Sequence, residues 1–121
     1  MIRIRQHGEE NSLFDIKQFL QDIDVYFEVS SWFVEIGWCQ GKNSERIEKE
    51  TAKGKEYTNN EFRKLYSGIF QTIEGSFHLV RNNEIVAKFL AVDSSYWEVE
   101  ATSAKFEKHM LNKYGAYSPQ T

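Results

Sequence analysis

A single cysteine, Cys39, and a single proline, Pro119, stand out as shortages in this chain. One cysteine closes no internal disulfide, so nothing here resembles the stapled frameworks of small secreted domains. An acidic, disulfide-free chain is expected in a reducing cytoplasm. Proline is confined to the extreme C-terminal region and glycine numbers only seven, which excludes the loose texture of linkers and disorder. No apolar run approaches the roughly 18 residues of a membrane span. The opening "MIRIRQHGEENS" alternates charged and apolar residues and lacks the apolar centre of a secretory signal.

An excess of positive charge is also missing. Fifteen Lys and Arg face eighteen Asp and Glu, giving a net charge of −3. The imbalance lies in residues 1–60, with eight cations against eleven acids. Neither half offers the basic footprint of a phosphate-backbone binder. Arg3, Arg5, Arg63, Lys64 and Arg81 are the candidates for such a patch, but acids are interspersed among them. No direct nucleic-acid partner is expected, and no membrane association.

What the chain does have is aromatic mass. Nine Phe, six Tyr and three Trp make up 15% of its 121 residues, enough to build one core from a modest 40% apolar content. The expectation is a single compact domain over 1–121, with a polar excursion at 41–57 and a short tail at 116–121. "MIRIR" alternates as a strand. Ser12, with Asp15 three residues on, suggests the capped start of a helix over 13–22, its stripe formed by Leu13, Ile16, Leu20 and Ile23 beside Phe19.

Residues 25–38 read as two strands joined at Ser30 and Ser31. In the second, Trp32, Val34, Ile36 and Trp38 fall on one face and Phe33, Glu35 and Gly37 on the other, and a bulge in one long strand is the alternative. From Lys42 to Glu56 five cations and four acids surround Ile47, the texture of a wet surface segment with at most a helical turn. Thr58 and Glu61 then form a capping box before Phe62, Leu65, Tyr66 and Ile69.

"RNNE" marks a hairpin turn between "SFHLV" and "IVAKFLAV", and the second of these is apolar on both faces. "YWEVEA" sets Tyr96, Glu98 and Glu100 against Trp97 and Val99. A last helix carries Phe106, His109, Met110 and Tyr114 inward and stops at Gly115. The class is α+β, a mostly antiparallel sheet of about five to seven strands with about three helices.

Catalytic motifs are scarce. Cys39 has no histidine tied to it and is expected as a structural thiol. Ser94 and Ser95 lack the glycine-flanked elbow of a hydrolase and suit a bend between strands. His7, His78 and His109 are isolated and show no metal-ligand spacing, so neither metal nor cofactor is expected. Glu98 and Glu100 share a strand face and could serve as paired carboxylates, with His78 as helper, in a small hydrolase.

Tyr26, Trp32, Trp38, Tyr96 and Trp97 crowd the strands, and Glu28, Glu35, Asp93, Glu98 and Glu100 could surround them. Aromatic anchors ringed by acids suit recognition of a basic protein. The candidate partner-binding set is Glu28, Glu35, Asp93, Tyr96, Glu98 and Glu100.

The strand "YWEVEATS" running into the terminal helix, within this compact plan, resembles small bacterial immunity proteins of contact-dependent or polymorphic toxin systems. The likeness covers architecture and no residue motif, so no family residue is carried over. It implies a cytoplasmic, non-catalytic inhibitor of a cognate toxin domain. A small carboxylate hydrolase and a homo-oligomeric structural protein are the alternatives.

Overall fold

The computed structural model describes residues 1–115; the expected tail at 116–121 lies outside the described residues. Six antiparallel strands form one sheet: β1 (Ile2–Arg5), β2 (Ser31–Gly41), β3 (Lys55–Thr58), β4 (Ile69–Arg81), β5 (Glu84–Val92) and β6 (Tyr96–Ala101). Their order across the sheet is β1-β6-β5-β4-β2-β3. Four helices accompany them: α1 (Ile16–Tyr26), α2 (Ser44–Glu50), α3 (Asn59–Tyr66) and α4 (Ala104–Lys113). The chain is α+β, as its patterning suggests. None of the described helices is long and apolar enough to cross a membrane.

Aromatic rings join the helices to one face of the sheet. Phe62 of α3 stacks on Trp32 of β2 with centroids 4.2 Å apart, Phe19 of α1 meets Phe89 and Trp97, and Phe106 of α4 meets Phe89. Trp32, Trp97, Phe19, Phe62, Phe77, Phe89 and Phe106 are all fully buried. Both buried indoles find acceptors, Trp32 Nε1 at Asn59 Oδ1 and Trp97 Nε1 at the Phe14 carbonyl, each at 2.9 Å.

The opposite face is open. Along β5 and β6 its side chains, Val86, Lys88, Leu90, Val92, Tyr96, Glu98 and Glu100, are all half-buried or exposed. The apolar residues on both faces of β5 suggest cover on both, and the structure corrects this. Ala87, Phe89 and Ala91 are buried, whereas Leu90 and Ile85 are exposed.

The first helix also departs from expectation. Ser12 closes a short 3-10 turn, its hydroxyl donating to the Glu9 carbonyl, and Asp15 is the true cap. Asp15 accepts from the Ile16 amide while Gln18 reaches back to the Asp15 amide. The helix then runs through Tyr26, absorbing the start of the strand expected at 25–29. Ile16, Phe19, Ile23 and Tyr26 keep one helical face against the core, and Val25, 77% exposed, points away.

The polar excursion at 41–57 is ordered as α2 and β3. Ile47 is fully buried, and it anchors α2 beside β2. β3 pairs only with Ser31–Val34 of β2. Beyond that, side chains of α2 and its C-cap occupy the free edge: Thr51 Oγ1 accepts from the Ile36 amide at 3.0 Å and Glu48 Oε2 from the Cys39 amide at 3.1 Å. Thr58 and Glu61 form the expected capping box of α3.

Two buried carboxylates tie the layers together. β5 pairs with β4 only from Gly75 onward, so the preceding backbone groups of β4 need other partners. Asp15 Oδ2 accepts from the Thr72 amide at 2.7 Å and Oδ1 from the Thr72 hydroxyl at 2.9 Å. Gln6 Nε2 donates to the Thr72 carbonyl, and the Tyr66 hydroxyl is bonded to Thr72 Oγ1. Between α1 and α4, Asp22 accepts from His109, Lys113 and Tyr114. Burial pushes the Asp22 carboxyl up, but these donors outweigh it and hold the group below the usual range.

Burial dominates at Asp15. It raises the carboxyl to about 6 against the lowering effect of the Thr72 and Ile16 bonds. A raised folded value contributes stability in full below the unfolded value near 4, and that contribution is lost as pH rises through about 6. Asp15→Asn should therefore remove a fall in stability between about pH 4 and 6. Asp15→Ala should cost about 2–4 kcal/mol at neutral pH through the lost cap and the orphaned Thr72 donors. Urea midpoints across that pH range check both outcomes.

Candidate functional site

Side-chain alternation along β2 breaks at Gly37. Ile36 pairs with Gly75 and Trp38 with Glu74, so Gly37 is an extra residue on β2; Trp38 to Cys39 then spans Glu74 to Thr72, making Ile73 the extra residue on β4. Each bulge reverses the facing of its strand. Trp38, expected in line with Trp32, Val34 and Ile36, is turned out and is 54% exposed, while Cys39 turns in. The broken alternation carried one visible signal, a glycine inside a strand pattern.

Next to the bulges, the open face is hollowed. A depression of about 580 Å³ is lined by Glu35, Gly37, Glu48, Ala52, Glu74, Leu90 and Val92, among others. Gly75 belongs to its floor, where an added Cβ would come within 2.8 Å of Ile36 Cδ1. Glu48 is committed to the Cys39 amide. Glu35 and Glu74 have no hydrogen-bond or ion-pair partner among the described residues. The result is a shallow, partly apolar groove with two uncompensated carboxylates beside an exposed indole.

The residues singled out from sequence are dispersed. Glu35 lies on the groove wall. Glu98 shares its row across the sheet, Glu35–Ser76–Leu90–Glu98–Arg3, but stands three strands away, roughly 14 Å at normal strand spacing. Glu98 accepts from Arg3 at 3.1 Å, and the Arg3 guanidinium lies over the Tyr96 ring. Glu100 faces Lys88 across the β5–β6 pair. Asp93 sits in the β5–β6 turn with φ 48°, and Glu28, 3.7 Å from Arg81, lies at the opposite end of the sheet. These six residues do not form one acidic face. Glu48 and Glu74 of the groove, and the exposed Trp38 next to Gly37, are the residues that the sequence pattern missed.

The groups considered for a hydrolase do converge. His78, Lys88, Glu98 and Glu100 line a smaller hollow of about 260 Å³. Its acids stand beside cations, and burial followed by the Lys88 charge lowers the pKa of His78. Among the described residues, Asp15 is the carboxylate pushed upward toward neutrality, and it is committed to Thr72 and the α1 cap. The arrangement here is a charge-balanced surface.

Cys39 is buried, and its thiol is pushed up to about 12, first by burial and then by the charges of Glu48 and Asp15. No family model matches the chain, and neither a curated protein nor a solved structure matches it.

Two spectroscopic outcomes follow from the reversed facing. Acrylamide should quench mainly Trp38, so Trp38→Phe should remove most quenchable emission while changing stability by no more than about 0.5 kcal/mol. Cys39 should react with a thiol-exchange reagent at pH 8 only in denaturant. Fast native-state labelling would mean that the thiol faces outward.

Proposed function

We propose that this chain is a non-catalytic protein-binding inhibitor, an immunity protein that occupies a bacterial toxin domain in the cytoplasm. The observation that carries this reading is the groove beside Trp38. An exposed indole next to a partly apolar floor is the type of anchor that concentrates binding energy, and unpaired acids select for a basic partner. Lysine and arginine suit such a groove, since their stems pack on apolar surface while the charged heads reach the rim. The acidic balance of the chain agrees with this choice of partner. The proposed contact centres on Trp38, Glu35 and Glu74, while Glu98 and Glu100 form a more compensated flank.

The test is capture of a partner by the tagged chain, followed by binding kinetics. A stoichiometric basic protein, released by salt, is expected. Glu35→Gln with Glu74→Gln should slow its association roughly tenfold, more than Glu98→Gln with Glu100→Gln does. Trp38→Ala should weaken the complex by about 2 kcal/mol or more, mainly through faster dissociation. Unchanged affinity in both groove variants would remove the groove from the interface. A chain that captures no protein, even when cells making the toxin are supplied, would end the inhibitor reading.

A further inference from the structure

A second cleft, about 490 Å³, opens at the other edge of the sheet where α2, β3 and α3 meet. Its lining includes Asn43, Arg46, Glu50, Tyr57, Glu61 and Lys64. Tyr57 is only 7% exposed, and its hydroxyl is out of solvent with no hydrogen-bond partner. Buried hydroxyls are rarely left unpaired, because the desolvated group loses its bonds to water without replacement.

The remaining bonding capacity of the cleft is mostly on donors. Both oxygens of Glu50 are engaged, one by Arg46 Nε at 3.1 Å and the other by Lys55 Nζ at 3.4 Å. Glu61 is held by the Thr58 amide in the α3 cap. Lys64 is exposed, and its ammonium has no hydrogen-bond or ion-pair partner among the described residues. Arg46 keeps both terminal nitrogens, and Tyr57 keeps its hydroxyl. Three cations line the cleft against two acids, Glu50 shared by Arg46 and Lys55 and Glu61 held in the α3 cap, which leaves a surplus of one positive charge. A ligand that brings acceptors suits the Lys64 ammonium, the terminal nitrogens of Arg46 and the Tyr57 hydroxyl.

We propose that this cleft binds a compact oxyanion, the phosphate or carboxylate group of a small molecule, with the Tyr57 hydroxyl and Lys64 ammonium as its direct donors. Arg46 and Lys55, which share Glu50, border the site, and the terminal nitrogens of Arg46 face no other partner among the described residues. This site is separate from the Trp38 groove, and its test does not depend on the inhibitor reading.

The probes are inorganic phosphate and, separately, acetate, titrated at constant ionic strength while backbone amide resonances are followed. Saturable shifts concentrated at Asn43, Tyr57 and Lys64 are expected. Lys64→Gln and Tyr57→Phe should each weaken binding roughly tenfold, whereas Lys105→Gln on α4 should not. Without ligand, Tyr57→Phe should melt at or above the wild-type temperature, because it removes an unpaired buried hydroxyl. Saturation by phosphate alone assigns a phosphate site, and saturation by acetate assigns a carboxylate site. Shifts that never saturate or spread over all lysines would overturn the proposal. So would a Tyr57→Phe variant that binds like wild type.

Discussion

The bonding of Asp15 to Thr72 is the constraint around which this fold closes. β4 runs past the last residue paired with β5, and its outward backbone groups cannot be left without partners. One carboxylate takes the Thr72 amide and hydroxyl while also capping α1. Gln6 and Tyr66 meet the same residue from the end of β1 and from α3. The register of β4, the start of α1 and the seating of α3 are thereby fixed at a single point. Burial makes ionisation of Asp15 unfavourable and outweighs the opposing effect of its bonds to the helix and sheet.

Sequence patterning was most legible where side-chain period and capping chemistry agreed. The Thr58–Glu61 box, the Asn-Asn turn and the alternation of β6 all have local causes, and local causes can be read from a few residues. The start of α1 was misread because Ser12 and Asp15 are both competent caps. The choice between them rests on Thr72, far along the chain. α2 was hidden because Ile47 is its single buried side chain and its polar residues look like solvent-facing ones. Two of those, Glu48 and Thr51, bond to the backbone of β2.

The same division holds for the candidate site. Glu35 was legible because the alternation of β2 is regular up to Ile36. Trp38 was not, because the paired bulges at Gly37 and Ile73 compensate each other across two strands and restore the original offset by Cys39. The acids of β6 were placed on the correct face, yet their neighbours Arg3 and Lys88 come from strands whose adjacency only the topology provides. Charge complementarity across a sheet is a property of strand order, and strand order is not local.

The way α2 borders β2 also bears on how this sheet meets other chains. An eleven-residue strand with an unpaired side invites addition of a foreign strand. Here, β3 takes the first four residues of that side, and Thr51 and Glu48 spend their acceptors beyond them. What a neighbour finds at this margin is the four-residue β3, carrying Lys55 and Glu56. Short, charged margins propagate strand stacking poorly, so α2 guards the protein against templated aggregation.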